Sequence, residues 1–196
     1  MDSPDARVLA LRTFRSHSAE ASEAFGAALA RAIEADPLLS LSGVVVALEG
    51  DLGSGKTALA RGVAAGLGSA DAVHSPSFTL MHTYAGRLPI YHFDAWMEGR
   101  ERAFLDGGGA EWLDGGGVAL IEWASRVVPW LPLPRLGVLL EHGDAQAPDR
   151  RTLTLVALGR PVPTGTGDSR AEAMAALVTG LRLSAVPCAP GQIEEP

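Results

Sequence analysis

The sequence is poor in several residue types, and each shortage excludes a class of protein. Its 196 residues contain one cysteine, Cys188, so the chain cannot form an internal disulfide and shows no sign of an oxidising compartment. No apolar run reaches the roughly 18 residues of a membrane-spanning helix. Asp2 and Asp5 stand where a secretory signal would carry positive charge. We therefore expect a cytoplasmic protein with no membrane association.

Positive charge is scarce as well. The 23 acidic residues outnumber the 16 basic ones, which gives a net charge of −7. This balance disfavours direct binding to DNA or RNA, because such an interface needs a basic surface to neutralise phosphates. Contact with RNA through a protein partner is still allowed. Fifteen of the basic residues are arginine, and Lys56 is the only lysine.

The order of apolar segments predicts one α/β domain and a tail. At 47% hydrophobic and 20% charged residues, the composition is that of a globular protein. Residues 161–196 are rich in Pro, Gly, Ser and Thr, so we predict a domain at 1–160 and a flexible C-terminal tail that could carry one helix at 169–183. Within the domain we predict helices at 18–33 (N-cap Ser18), 56–67, 100–105 and 111–113, a hairpin at 79–84 and 88–93, and strands at 8–14, 42–49, 118–122, 136–141 and 151–158.

One short motif indicates a specific chemistry. Residues 50–57 read Gly-Asp-Leu-Gly-Ser-Gly-Lys-Thr and fit the pattern G-x-x-x-x-G-K-[ST] without a mismatch. In such a loop, closely spaced backbone N–H groups and the N-terminus of the following helix bind phosphates. The predicted strand before it and helix after it favour this function over a glycine turn that carries a lysine by chance. The motif predicts a P-loop NTPase-like fold, with a mixed, mostly parallel central sheet flanked by helices.

Two side chains of the motif have direct roles. Lys56 would reach the β- and γ-phosphates of a bound triphosphate, where a compact ammonium suits the contact better than a planar guanidinium. The Thr57 hydroxyl would bind Mg²⁺, which keeps most of its waters and takes few protein ligands. A nucleoside triphosphate and Mg²⁺ are therefore the expected cofactors. The other predicted nucleotide contacts in this region are Asp51, Leu52, Gly53, Ser54, Gly55 and Ala58.

Acidic residues at the ends of two other strands could complete a hydrolytic site. Glu122 ends an apolar strand, where a metal or its water shell would compensate a buried carboxylate; the alternative is a solvated strand-end glutamate. His92 and Asp94 lie on one face at the end of the preceding strand. Asp94 could orient the attacking water or hold a metal-bound water, and His92 could support it or be structural. Trp123 could pack over the nucleotide or fill a gap.

Together these motifs resemble the TsaE (YjeE) family, the bacterial ATPases of tRNA threonylcarbamoyladenosine synthesis. The resemblance covers about residues 8–158. Where the family usually has Ser-Pro-Thr, this chain has Ser77 as the third residue, and where the family has Tyr-Arg after His-x-Asp, it has Trp96 and Met97. The four motifs that agree in order and spacing are the loop at 49–57, Ser-Pro-Ser-Phe-Thr-Leu at 75–80, Tyr-His-Phe-Asp at 91–94 and Ile-Glu-Trp at 121–123.

The resemblance implies a small P-loop ATPase, weak alone, that acts with the TsaB and TsaD proteins. That complex installs threonylcarbamoyl on adenosine 37 of tRNAs that read ANN codons, so this chain would contact tRNA only indirectly. By likeness of motif, Thr57 and Glu122 would be the Mg²⁺ ligands, and Lys56, Asp94 and Glu122 the catalytic residues. Residues 75–78 would form a switch-like loop near the γ-phosphate. From the first helix, Ser22 would lie near the adenine.

Two other functions stay open on the sequence alone. A small-molecule or nucleotide kinase shares the glycine loop and the size, but such enzymes close several arginines over the transferred phosphoryl group. Here Arg100-Glu101-Arg102 is the only arginine cluster between the loop and Glu122. A nucleotide-gated interaction module would instead use ATP to control docking, with hydrolysis incidental.

Overall fold

The fold is taken from a computed structural model, which describes residues 5–97, 99, 116–144, 146–161, 167–183 and 193–195. The short helices predicted at 100–105 and 111–113 lie outside these residues. The described chain forms a single eight-stranded sheet in the order β3-β4-β5-β2-β6-β7-β1-β8. The strands are β1 (Arg7–Ser16), β2 (Val44–Glu49), β3 (Met81–Tyr84), β4 (Ile90–Asp94), β5 (Val118–Glu122), β6 (Arg135–His142), β7 (Arg151–Gly159) and β8 (Ile193–Glu194).

The centre of the sheet is parallel and its flanks are antiparallel. Strand β2 pairs in parallel with β5 and β6, and β5 pairs in parallel with β4. Strands β3, β7, β1 and β8 add antiparallel pairs on the two sides. Both β2 and β5 are almost fully buried, as expected for apolar strands covered on both faces. The predicted α/β class with a mixed central sheet is confirmed.

Four helices in the described part of the chain cover one face of this sheet. They are α1 (Ala19–Ala35), α2 (Pro37–Ser42), α3 (Lys56–Gly66) and α4 (Ser169–Gly180), and buried side chains from each belong to one apolar cluster with the sheet. As predicted, Ser18 is the N-cap of α1, and its side chain accepts a hydrogen bond from the Ala21 N–H at 3.1 Å. A smaller cluster lies on the other face, where two 3₁₀ turns (Ala124–Arg126 and Val128–Trp130) follow β5. No helix within the described residues is both long and apolar enough to cross a bilayer.

The helix after residue 160 is part of this core. Its side chains Met174, Leu177 and Val178 are buried in the main apolar cluster. On β1, the Arg12 guanidinium donates hydrogen bonds to the Val178 and Leu181 carbonyls at 3.3 and 2.7 Å. Carbonyls at the C-terminal end of α4, which lack partners within the helix, thereby gain a donor. The possible helix predicted at 169–183 is thus present at 169–180, where an apolar face and a long-range cap hold it on the sheet.

Helices α1 and α3 approach each other too closely for a side chain at several glycines, and most closely at Gly62. A Cβ atom added at Gly62 of α3 would fall far inside van der Waals contact of the Glu23 backbone carbonyl of α1. Backbone cannot yield as a flexible side chain can, so any larger residue must push the helices apart. Because α3 follows the glycine loop directly, this contact also fixes where the loop lies.

We expect Gly62→Ala to destabilise the fold by about 3 kcal/mol, as overpacking of a rigid contact does. Gly180→Ala, at the end of α4, is the matched control, because an added Cβ there meets no atom within 4 Å. Urea unfolding of both variants measures the two free energies of unfolding. Equal stability of the two variants would contradict the close packing of α1 on α3.

Candidate nucleotide-binding site

The register of the central strands brings the predicted site residues together. In the parallel pairs, Asp94 of β4 lies opposite Glu122 of β5, and Glu122 lies opposite Leu48 of β2. The carboxyl ends of three strands therefore meet where the glycine loop begins, as ligand sites in parallel sheets do. A cavity of about 580 Å³ opens there. Nine of the predicted residues line it: Leu52, Gly53, Gly55, Lys56, Thr57, Ala58, Asp94, Glu122 and Trp123.

Three predicted residues do not line this cavity. Ser22 is 1% exposed, and its hydroxyl lies 2.9 Å from Ser16 Oγ and 3.3 Å from the Ser18 carbonyl. A buried hydroxyl with these partners leaves no surface for a base, so the geometry does not support the predicted contact of Ser22 with adenine. The side chain of Ser54 is fully buried behind the loop, and Asp51 contributes its carbonyl to contacts within the loop.

The glycine loop turns sharply between β2 and α3. Gly50 has φ +142°, and an added Cβ would lie 2.6 Å from Ser54 Oγ and even nearer the Leu140 carbonyl of β6. Only glycine fits this position. No side chain caps the N-terminus of α3 at Gly55, so the first N–H groups of the helix have no side-chain acceptor. Free N–H groups at a helix start form an anion-binding site.

Lys56 lies inside the loop. Its ammonium donates hydrogen bonds to the carbonyls of Gly50 and Asp51 at 2.7 and 2.9 Å, and it lies 3.8 Å from the centroid of the Trp123 ring. Burial lowers the pKa of Lys56, an effect that neighbouring carboxylates, Glu122 foremost, partly offset. The positive charge is thus concentrated at the centre of the cavity wall.

Glu122 is the polar centre of the site. It is 3% exposed, and its Oε1 accepts hydrogen bonds from the Thr57 hydroxyl and from His92 Nε2, both at 2.9 Å. Glu122 is therefore buried and hydrogen-bonded, and the alternative that it is a solvated residue at the strand end is wrong. His92 is fully buried, and because a carboxylate only accepts, Nε2 carries the donated proton when Glu122 is ionised. Three side chains from α3, β4 and β5 are joined at one oxygen.

These residues fit a magnesium ion rather than a metal cage. No group of three or more His, Cys, Asp or Glu side chains with metal-ligand geometry occurs among the described residues. The Thr57 hydroxyl and the Glu122 carboxylate, in contact beside the phosphate loop, form a small oxygen set. Mg²⁺ is held in this way, by one or two protein oxygens together with waters and phosphates.

Asp94 is held by the segment predicted as a switch-like loop. Its Oδ2 accepts hydrogen bonds from Ser75 Oγ at 2.7 Å and Ser77 Oγ at 2.6 Å, and its Oδ1 accepts from the Trp96 N–H at 2.9 Å. The two hydroxyls also lie 2.6 Å apart. Burial would raise the pKa of Asp94, but the hydrogen bonds from Ser77, Ser75 and Trp96 outweigh it and hold that pKa below its ordinary value. Asp94 is an ionised acceptor at neutral pH.

Two tryptophans form one wall of the site. Trp123, in the left-handed backbone region at φ +59°, places its ring 4.3 Å from the ring of Trp96. The Arg126 guanidinium lies 5.1 Å from the centroid of Trp96, whereas the Lys56 ammonium lies over Trp123. Trp123 therefore packs on Lys56 and Trp96 at the cavity wall.

Sequence reasoning missed several residues at this site. Arg61 lies on the cavity wall and pairs with Glu23 of α1 at 2.8 Å. Arg61 could have been predicted, because it lies one helical turn after Thr57 on the predicted helix and so on the same face. Met97 also lines the cavity and is exposed, as does Phe78, which belongs to the segment predicted as a switch-like loop. His142 and Arg151 contact the outer side of the loop from β6 and β7, and no local pattern marks them.

Comparison with known proteins relates the chain to one family. The family model described as "Threonylcarbamoyl adenosine biosynthesis protein TsaE" matches residues 16–152. Two curated relatives, both named tRNA threonylcarbamoyladenosine biosynthesis protein TsaE, come from Treponema pallidum and Bacillus subtilis. The first is 39% identical over 117 residues (60% of this chain and 82% of the relative), and the second 42% identical over 119 residues (60% and 72%). The crystal structure of Bacillus subtilis YdiB superposes with a TM-score of 0.65 at 30% identity and covers 87% of this chain and 95% of its own.

Loss of one hydroxyl from the Asp94 cluster should change both a pKa and the stability. We expect Ser77→Ala to raise the pKa of Asp94 and to lower the free energy of unfolding at neutral pH by about 1.5–3 kcal/mol, the value of a hydrogen bond to a charged group. A carboxyl whose pKa is depressed on folding adds stability above its unfolded pKa, and this is lost as the pH falls through the folded pKa. The stability difference between wild type and Ser77→Ala should therefore shrink below about pH 4.

Carboxyl ¹³C NMR titration measures the first effect, and urea unfolding at two pH values measures the second. Ser40→Ala is the control, because Ser40 bonds only the Pro37 carbonyl on an exposed turn of α2. An Asp94 pKa that is the same in wild type and Ser77→Ala would show that the hydroxyl does not stabilise the charged carboxylate.

Proposed function

The chain belongs to the TsaE family and so has a role in the biosynthesis of threonylcarbamoyladenosine in tRNA, and on that premise we propose that it is a Mg²⁺-dependent ATPase that supports this modification. One observation carries the proposal. The Thr57 hydroxyl at the start of α3 contacts the Glu122 carboxylate at the end of β5, directly beside a glycine loop that contains Lys56. This is the arrangement that phosphate and magnesium recognition requires.

Different groups of the site would bind the phosphates of ATP and the magnesium ion. Backbone N–H groups of residues 53–57 would hold the phosphates, and the Lys56 ammonium would turn from the loop carbonyls to the β- and γ-phosphates. Thr57 and Glu122 would hold the magnesium. When bound, Mg²⁺ would offset the negative charge that the phosphate oxygens carry during transfer. His92 keeps the Glu122 carboxylate in place through its Nε2 hydrogen bond.

Asp94 would act on the attacking water. Because its pKa is depressed, this carboxylate stays ionised but is a weak base, so it suits the orientation of a water more than full removal of its proton. Two of its hydrogen bonds come from Ser75 and Ser77, so the position of that segment sets the position of the carboxylate. The products would be ADP and inorganic phosphate.

Protein partners in the threonylcarbamoyl pathway complete the proposal. We place the chain with the TsaD and TsaB proteins, which would hold the tRNA, since a net charge of −7 disfavours direct contact with RNA. Four large apolar side chains at the cavity support a protein contact there: Leu52, Phe78, Trp96 and Met97 line it and are 78%, 89%, 43% and 41% exposed. Exposed apolar patches of this kind mark interaction surfaces.

Glu122→Gln tests the hydrolytic site. The amide oxygen can still accept from Thr57 and His92, but the charge that would bind the metal is lost. We expect Mg²⁺-dependent release of phosphate from ATP, with no acceptor added, to fall by roughly 100-fold, while the Kd for ATP measured in EDTA changes little. Glu20→Gln, exposed on α1, is the matched control. Unchanged hydrolysis in Glu122→Gln would refute the assignment, and ADP formation that requires a second substrate in wild type would indicate a kinase.

Reconstitution with TsaB and TsaD tests the biological role. Threonylcarbamoylation of tRNA over many cycles should require the wild-type chain and should stop after few cycles with Glu122→Gln. If that variant binds ATP and sustains modification at the wild-type rate, the chain is an ATP-gated interaction module. If modification proceeds equally without the chain, the proposed role fails.

A further inference from the structure

The outer side of the glycine loop is contacted by two side chains that the motif does not contain. We propose that His142 and Arg151 are positioning residues: they hold the loop carbonyls from outside and so direct the N–H groups of Gly53 and Gly55 towards the phosphates. This inference rests on the proposed binding of ATP. Neither residue touches the cavity itself, so the effect acts through the backbone of the loop.

Sheet register places both residues beside the loop. In the parallel pair of β2 and β6, Glu49 lies opposite Leu139, and three residues further along each chain come Leu52 and His142. In the antiparallel pair of β6 and β7, His142 lies directly opposite Arg151. The two side chains are therefore cross-strand neighbours at the edge where the loop leaves the sheet.

The contacts are made to successive carbonyls. His142 Nε2 donates to the Leu52 carbonyl at 3.1 Å, and since a carbonyl only accepts, this nitrogen carries the proton. Arg151 donates through Nε to the Ser54 carbonyl at 3.1 Å and through a terminal nitrogen to the Gly53 carbonyl at 3.3 Å. The other terminal nitrogen of Arg151 binds the carbonyls of Pro148 and Arg150 in the β6–β7 connection. One guanidinium thus ties the loop to that connection.

Peptide geometry converts these contacts into a direction for the N–H groups. A trans peptide is planar, and its C=O and N–H bonds point to opposite sides. The Leu52 carbonyl shares a peptide with the N–H of Gly53, and the Ser54 carbonyl shares one with the N–H of Gly55. Because both carbonyls point outwards to His142 and Arg151, both N–H groups point towards the cavity that Gly53 and Gly55 line.

Lys56 makes this outer contact necessary in the nucleotide complex. The carbonyls of Gly50 and Asp51 accept from the Lys56 ammonium, and those of residues 52–54 accept from His142 and Arg151. If Lys56 turns to the phosphates, the Ser54 N–H still bonds the Asp51 carbonyl, and the carbonyls of residues 52–54 are still held by His142 and Arg151. Arg151 also has no ion-pair partner within the described residues, so its charge adds to the positive potential behind the loop.

The test compares four variants by calorimetric titration with ATP and with ADP. We expect Arg151→Met to raise both Kd values roughly tenfold, because it removes two charged hydrogen bonds to the loop together with the two that tie the loop to the β6–β7 connection. Arg150→Met is the matched control, since the Arg150 side chain is exposed on the neighbouring position and makes no hydrogen bond to the loop among the described contacts. We expect its Kd values to stay within twofold of wild type.

The second pair isolates the donor from the size of the side chain. His142→Leu removes the donor to the Leu52 carbonyl and should weaken ATP binding about threefold, whereas His142→Gln keeps an N–H donor and should restore most of the affinity. If His142 had only a structural role, each variant would lose ATP affinity in proportion to its loss of melting temperature. If Arg151→Met does not fold, the His142→Leu and His142→Gln pair still tests the positioning role.

The outcomes separate the two proposals. If wild type binds neither ATP nor ADP, the proposed function fails and the role of His142 and Arg151 falls with it. If wild type binds ATP but Arg151→Met and His142→Leu bind it as tightly, ATP binding stands and the positioning role is wrong. Equal weakening by Arg150→Met and Arg151→Met would also overturn it, because loss of general positive charge would then explain the effect.

Discussion

The parallel pairing of β4, β5 and β2 is the constraint on which the site depends. It places Asp94, Glu122 and the start of the glycine loop at one edge of the sheet. Side chains alternate between the two faces of a strand, so a slip of one residue in β5 would turn Glu122 away from Thr57 and His92. The apolar burial of β2 and β5 on both faces prevents that slip. Packing of the core therefore determines the geometry of the polar site.

The polar site is buried, and its members stabilise one another. Lys56, His92, Asp94 and Glu122 are each at most 5% exposed, and an isolated buried charge would cost several kcal/mol. Each has named partners: loop carbonyls for Lys56, Glu122 for His92, serine hydroxyls for Asp94, and Thr57 for Glu122. Such a network holds each side chain in one orientation, which suits a site that must present fixed charges to a ligand.

The glycine loop has two sides with different tasks. Its N–H groups and Lys56 serve the cavity, whereas its carbonyls at 52–54 are held by side chains from β6 and β7. The motif pattern describes only the first side. Glycines let the loop approach a phosphate closely, but they also make its backbone less rigid. Contacts from side chains outside the motif restore that rigidity.

Local pattern was enough to predict β2, α3, the β3–β4 hairpin and the class of the fold, because apolar period and turn residues are properties of short segments. It was also enough to predict that Lys56 and Thr57, which the motif names, and Asp94 and Glu122, which end their strands, lie together at one cavity. Only the tertiary structure showed that α4 packs on the sheet, that Trp96 stacks on Trp123, that Ser22 lies away from the cavity and that His142 and Arg151 reach the loop. These contacts join residues far apart in the chain, and strand register, which no short segment encodes, decides which of them meet.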